Sequence, residues 1–312
     1  MRWTSRVAAD PLALSREAAP VFREFLAEIR SSLEAHPWPV LVDLPADRAI
    51  QVVGDIHGDY VALASALKFR RERAPPDRFV ALGDYVDRAT RSQPDPASLP
   101  GGSLWTVAHL LAWAAEAPSE VIPLMGNHES CRRLPVPGPT FFREIRRVFG
   151  PEEALTIYPE VMDLLERLPL AARTGNGVFL AHGGIPPHGS GPPDAWRRDD
   201  LALLEGLLWA DPEVGYQDRG IGTAYSEDRF RRALDDLGCR MMVKGHAPHH
   251  SGVAIFGGRL LTLHTSDLYA GFGHTGILMA EIPPIPEIRS ARDLRIRRVQ
   301  DGSWQPYSIR WD

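Results

Sequence analysis

Apolar positions in this 312-residue chain cluster in two ways. Short, nearly continuous runs, VLVDL (40–44), AIQVV (49–53), RFVAL (78–82) and EVIPL (120–124), read as strands. Longer stretches with helical spacing lie at 16–35, 59–73 and 103–117. The first two strands are separated only by PADR and are expected to pair as a hairpin. From residue 49 onward the order is βαβαβ, which implies a sheet layered with helices. Further strands are expected at 178–181, 240–243, 252–256, 259–265 and 276–282, with helices at 197–208 and 226–237. The pattern predicts an α/β protein with two central sheets and helices outside. The tail 288–302 alternates Arg with apolar residues and reads as a solvated edge strand.

Composition narrows the class. Charged residues make up 24% and the hydrophobic set 44%, as in ordinary globular proteins. A net charge of −5 gives no global attraction to nucleic acid or to anionic membranes. The first residues lack an apolar core long enough for a signal peptide, and LWTVAHLLAWAAEA (104–117) is too short to span a bilayer. Cys131 and Cys239 cannot build a disulfide framework. A cytoplasmic protein without nucleic-acid or membrane partners is expected. The Pro- and Gly-rich segments 88–102 and 186–194 are expected to be surface loops.

The chemistry sits where the strands end. AIQVV leads to Gly-Asp55-Ile-His57-Gly, RFVAL to Gly-Asp84-Tyr-Val-Asp87-Arg88, and EVIPLM to Gly-Asn127-His128-Glu129. VFLA leads to His182-Gly-Gly and RMMVK to Gly-His246. Loops beyond the carboxyl ends of strands are where open α/β sheets bind ligands. Carboxylate, amide oxygen and imidazole together suit first-row metals such as Mn, Fe or Zn, and suit calcium poorly. Asp55 and His57 therefore read as metal ligands, and Asp59 as the cap of the following helix.

GDIHG, GDYVDR, GNHE, HGG and GH occur here in the order found in the phosphoprotein phosphatase family of calcineurin-like metallophosphoesterases, which this chain resembles. The resemblance extends through LERLPLAA (165–172), LLWADP (207–212), QDRGIGTAYSED (217–228) and LYAG (268–271), covering roughly residues 30–282. It implies the calcineurin-like phosphoesterase fold, two mixed sheets in a sandwich flanked by helices. It also implies a catalytic domain at 37–285, preceded by a helical segment (1–36) and followed by a strand or tail (286–312).

The same resemblance implies a metal-dependent phosphoprotein phosphatase. One divalent ion would be held by Asp55, His57 and Asp84, and a second by Asp84, Asn127, His182 and His246. Mn is the expected metal in vitro, with Fe or Zn as alternatives. A hydroxide bridging the pair would attack phosphorus directly, with His128 as general acid and Asp87 orienting its ring. Arg88, Asn127, Arg219 and Tyr269 match phosphate-binding positions, although core packing is a rival role for Tyr269. The expected partner is a phosphorylated protein or peptide bearing phosphoserine, phosphothreonine or phosphotyrosine. A small-molecule phosphoesterase, such as a symmetrical dinucleoside tetraphosphate hydrolase, is the second reading.

His249 reads as a rim residue, His264 as either a support of the site or packing, and His109 as a core residue. Ala89, Met125 and the TSDLYA segment depart from the eukaryotic pattern. These departures touch the rim, so no regulatory subunit is inferred.

Overall fold

The computed structural model describes residues 2–14, 17–73, 77–88, 102–268 and 276–312. Among them are helices α1 (Trp3–Ala9), α2 (Ala19–Ala35), α3 (Tyr60–Arg71), α4 (Gly102–Glu116), α5 (Phe141–Phe149), α6 (Pro151–Leu165), α7 (Leu201–Trp209) and α8 (Glu227–Asp236). The strands of the first half are β1 (Leu41–Leu44), β2 (Ile50–Val53), β3 (Arg78–Ala81), β4 (Val121–Pro123), β5 (Ala171–Thr174) and β6 (Val178–Ala181). Those of the second half are β7 (Asp211–Pro212), β8 (Ala224–Tyr225), β9 (Met241–Lys244), β10 (Val253–Ile255) and β11 (Leu260–Thr262). The chain closes with β12 (Leu278–Ile282), β13 (Arg295–Gln300), β14 (Ser303–Pro306) and β15 (Arg310–Trp311).

All four side chains of β2 are buried, so this strand needs cover on both faces and a hydrogen-bonding neighbour at each edge. It finds the edges in β3, which runs parallel, and β12, which runs antiparallel. The full order of that sheet is β14-β13-β12-β2-β3-β4. A second sheet runs β1-β5-β6-β9-β11-β10-β15, and its inner strands β6 and β9 are parallel. β7 and β8 form a separate short ladder. One apolar cluster joins the layers, from Phe22 and Ile29 of α2 through Val52 and Phe79 to Leu180 and Met242. Asp59 caps α3 as expected, its Oδ1 accepting from the Ala62 N–H at 3.0 Å.

Two expectations are corrected. β1 and β2 do not form a hairpin: they lie in different sheets, and β1 pairs in parallel with β5. The linker 45–48 has no residue with positive φ, which the tight hairpin turns require. The burial patterns also differ. β1 turns Asp43 outward to Arg173, whereas β2 is covered throughout. Arg78, on β3, donates to the Pro45 carbonyl of this linker at 3.0 Å.

The basic tail is also not an edge. β13 lies between β12 and β14. Its Arg295 is bound to the buried Glu281 carboxylate at 2.6 Å, and Arg73 holds the other oxygen at the same distance. The charge that suggested solvent exposure is partly spent on a buried counter-charge.

Two helices, α5 and α6, fall where no element was expected. Gly150 (φ 88°) ends one, and Pro151 begins the other at its first position. Among the described residues, no helix is long and apolar enough to cross a membrane.

His109 lies in the core of α4 as expected, 4% exposed, with its ring centroid 6.0 Å from that of Tyr60 and 6.3 Å from that of Trp113. Among the described residues its Nδ1 has no hydrogen-bond partner, and burial, helped by Arg71, pushes its pKa down to about 3. Because the folded value lies below the unfolded one, its stability contribution is full above about pH 6.5 and is lost as pH falls toward the folded value. Between pH 7.5 and 5 the loss from this residue is about 2 kcal/mol. Replacing His109 with Leu should remove that share of the acid sensitivity. Urea denaturation at both pH values checks it, and an identical pH dependence in the variant would refute the assignment.

Candidate functional site

β2, β3 and β4 run parallel side by side, as do β6 and β9 in the other sheet. Parallel neighbours deliver their carboxyl ends to one edge. Five loops thus bring together Asp55, His57, Asp84, Asp87, Asn127, His128, His182 and His246, each at most 7% exposed. The sheets are pinned to each other at this edge. The Gly54 N–H donates to Thr265 Oγ1 at 2.8 Å, and the His246 N–H donates to Asp55 Oδ1 at 2.9 Å. Gly245 permits the second contact, since a Cβ there would lie 2.1 Å from Asp55 Oδ1.

The backbone is held in an uncommon conformation where the side chains must converge. Seven described non-glycine residues have positive φ, and five are His57 (46°), Asp84 (54°), Asp87 (66°), Arg88 (57°) and His246 (67°). Each such residue costs on the order of 1–3 kcal/mol and persists only where its surroundings enforce it.

Glu129 enforces this conformation at Asp84, a role that was not anticipated. Its fully buried carboxylate accepts from the N–H groups of Asp84 (2.7 Å), Tyr85 (2.8 Å), Val86 (3.3 Å) and Gly126 (2.9 Å). It therefore latches the loop after β3 to the loop after β4. Burial raises its pKa to about 7 against the pull of these four donors. Gly126 must be Gly for the loops to meet, because a Cβ would lie 2.3 Å from the Asp84 nitrogen.

Asp84 sits at the centre. Its Oδ2 is 3.4 Å from His57 Nε2, and its Oδ1 is 3.4 Å from His182 Nε2. Burial first, then the carboxylates of Asp55 and Glu129, push Asp84 well above the usual carboxylate range. For Asp55, burial acts in the same direction, but it is opposed above all by His264, 3.0 Å from Oδ2, and the group is held well below that range. Burial depresses His57 and His246 strongly and His182 to about 4, so these rings are neutral at neutral pH, the form that binds metals.

The tautomers point the same way. His57 Nδ1 lies 3.0 Å from the Val86 carbonyl and His182 Nδ1 lies 3.1 Å from the Leu82 carbonyl, so each Nδ1 carries the proton and each Nε2 lone pair faces inward. His182 Nε2 then meets Asn127 Oδ1 at 2.8 Å, lone pair to lone pair, and His246 Nδ1 lies 3.2 Å from the same oxygen. A shared cation satisfies this arrangement; without one, the amide must turn its NH2 to these nitrogens. Two overlapping groups have ligand atoms within 4.8 Å of one another: His57, Asp84 and His128, and Asp55, Asp84 and His182. Asp84 belongs to both. The donor set fits a pair of divalent cations flanking its carboxylate.

Beside the ligands, His128 Nδ1 lies 2.6 Å from Asp87 Oδ2. Asp87 Oδ1 accepts from the N–H groups of Thr140 (2.6 Å) and Phe141 (2.7 Å), at the start of α5. Burial would raise Asp87, but its bonds to His128 and these backbone donors hold it below its usual value.

On the opposite side, Arg219 contacts His246 Nε2 through Nη1 and lies 3.4 Å from Asp211 Oδ2 through Nη2. Arg88 is anchored by its N–H to Thr140 Oγ1 at 3.1 Å. Tyr269 and most of the 88–102 loop lie outside the described residues. His264 lies 3.0 Å from Asp55 Oδ2, which supports the ligand loop, and His249 is half-buried beside Gly215.

A family model for calcineurin-like phosphoesterases matches residues 49–250. Among solved structures, a protein serine/threonine phosphatase from Saccharomyces cerevisiae matches at 22% identity and a TM-score of 0.67, over 98% of this chain and 90% of that one. A cold-active protein-tyrosine phosphatase from a psychrophilic Shewanella species matches at 16% identity and a TM-score of 0.54, over 86% and 82% of the two chains.

Glu129→Gln would set amide N–H groups against some of the four backbone donors. It should lower stability by about 2–3 kcal/mol. Urea denaturation checks this, and an unchanged midpoint would show that the latch is dispensable.

Proposed function

The chain belongs to the calcineurin-like phosphoesterase family, and from that premise we propose that it hydrolyses phosphomonoesters on phosphorylated proteins, at serine or threonine and as a further candidate at tyrosine. The observation that carries this reading is that His128, whose ring lies within one of the two overlapping ligand groups, is held through its other nitrogen by Asp87. The DYVDR and GNHE signatures favour a protein substrate.

Asp55, His57 and Asp84 would hold one divalent cation, and Asp84, Asn127, His182 and His246 the other. When bound, the cations supply Lewis acidity toward the phosphoryl oxygens and toward the attacking water. Mn is the first choice, with Fe or Zn as alternatives.

The chain's own residues supply the rest. His128 keeps its Nδ1 proton on Asp87 and turns Nε2 to the centre, 3.9 Å from Asp84 Oδ2. That nitrogen is placed to give its proton to the departing alkoxide. Asp87 remains ionised and compensates the imidazolium, and its backbone donors stop it from rotating. The guanidinium forks of Arg88 and Arg219 would hold the nonbridging oxygens in two-point contacts and stay charged throughout.

Asp84→Asn removes the one carboxylate common to both ligand groups. Turnover should fall by at least about a thousandfold, and metal analysis of the dialysed protein should show less than the full Mn complement. Full occupancy with near-normal turnover would exclude a shared Asp84. His128→Asn should slow hydrolysis of alkyl phosphates by about a hundredfold or more and that of p-nitrophenyl phosphate much less, because a good leaving group needs little protonation. Equal losses on both would rule out the acid role.

The reading as a whole is tested by steady-state hydrolysis with Mn-reconstituted protein. Phosphoserine, phosphothreonine and phosphotyrosine peptides would be compared with diadenosine tetraphosphate. Higher kcat/KM on the peptides is expected; preference for the dinucleotide would move the enzyme to small-molecule substrates with the same centre.

A further inference from the structure

Lys244 is one of two lysines in the chain and its side chain is fully buried, at the end of β9. A buried ammonium carries a desolvation cost that an apolar side chain of similar length, like Met241 and Met242 before it, would avoid. The core has no need of a cation there. The counter-charge that Lys244 touches is Asp211, itself 2% exposed, whose Oδ1 accepts from Lys244 Nζ at 2.5 Å; the Asp55 carboxylate acts on the ammonium as well. The other oxygen of Asp211 faces the guanidinium of Arg219 at 3.4 Å and His246 Nε2 at 3.8 Å. A chain of contacts therefore runs from a strand in the core, through one carboxylate, to a side chain on the rim.

We propose that Lys244 is a positioning residue, whose ammonium fixes the Asp211 carboxylate so that it presents the Arg219 guanidinium to the substrate phosphoryl group. This rests on the phosphatase reading and on Arg219 as a phosphate clamp. With Lys244 in place, one oxygen of Asp211 is engaged and its plane is set by a strand that cannot shift. Without Lys244, Oδ1 loses its donor, and the carboxylate is free to turn both oxygens onto Arg219 and His246. The guanidinium is then drawn inward and loses its two-point geometry toward phosphate.

Burial lowers the Lys244 pKa, and Asp211 opposes that. Asp211 itself is held well below its usual value. Burial acts against this, but Lys244, His246 and Arg219 outweigh it. The 2.5 Å contact between Lys244 Nζ and Asp211 Oδ1 is that of a charge-assisted hydrogen bond.

The test is calorimetric binding of inorganic phosphate to the full-length, Mn-loaded protein, with turnover measured in parallel. Arg219→Ala should weaken phosphate binding by about tenfold or more, and Lys244→Met by about fivefold, with the loss appearing in KM more than in kcat. The double variant should bind no more weakly than Arg219→Ala alone, because Lys244 would act only through that guanidinium.

Losses that multiply in the double variant would overturn the proposal, as would unchanged binding in Lys244→Met alongside a loss in Arg219→Ala. Unchanged binding in Arg219→Ala would overturn the clamp assignment beneath it and the proposal with it, without touching the metal centre. Should Lys244→Met fail to fold, Asp211→Asn breaks the same link without emptying the core. It should show the same loss and the same non-additivity with Arg219→Ala, and additive losses would again overturn the proposal.

Discussion

Asp84 is a carboxylate shut off from water and set near two others, Asp55 and Glu129. Three buried acids at such close quarters are unstable unless positive charge is supplied, and burial keeps the imidazoles around them neutral. The rest of the architecture is consistent with that constraint. The parallel strands aim five loops at one edge. Those loops adopt left-handed backbone at His57, Asp84 and His246, and the strain is sustained by hydrogen bonds from the surrounding core. A pair of divalent cations would supply the missing charge, and the donor atoms already face the places where it is needed.

The acids divide the work by what their oxygens meet. Glu129 receives only backbone N–H groups, and so it organises loops. Asp84 receives one N–H, from His128 at 3.0 Å, and offers its remaining lone pairs to the centre. Asp87 splits evenly, one oxygen on the start of α5 and the other on His128. From sequence, Asp84 follows a glycine, Asp87 a valine and Glu129 a histidine, and nothing in those contexts announces that they do three different jobs.

That difference marks how far the sequence can be read. The strands ending in Asp55, Asp84, Asn127, His182 and His246 were legible, because an apolar run closed by Gly and a polar residue announces a strand end at a site. Pairing partners were not. β1 and β2 are close in sequence and both apolar, and nothing local reveals that they belong to different sheets, since this depends on β5 and β12 more than a hundred residues away. The basic tail misled for a related reason. Arg295 does face solvent, but the pairing of β13 with β14 and the buried Glu281 beneath Arg295 lie outside anything the alternation of Arg with apolar residues shows. The role of Glu129 was hidden because its partners are backbone groups, which carry no sequence signature. α5 and α6 did have signals, an amphipathic FFREIRRVF and the Gly150–Pro151 junction, which a closer look at helix stops and starts would have found.

The two flanks of the centre are built on one principle. On one side, Asp87 fixes the imidazole that would face the leaving group. On the other, Asp211 faces the guanidinium that would face the phosphoryl oxygens. Each carboxylate has one oxygen tied to the rigid body of the protein, through the first N–H groups of α5 in one case and a buried ammonium on β9 in the other. A carboxylate held at only one oxygen can swing about its Cβ–Cγ bond, whereas one held at both cannot. The orientation of each working group is thus inherited from a helix end or a sheet strand, and its precision comes from the core instead of the exposed loops.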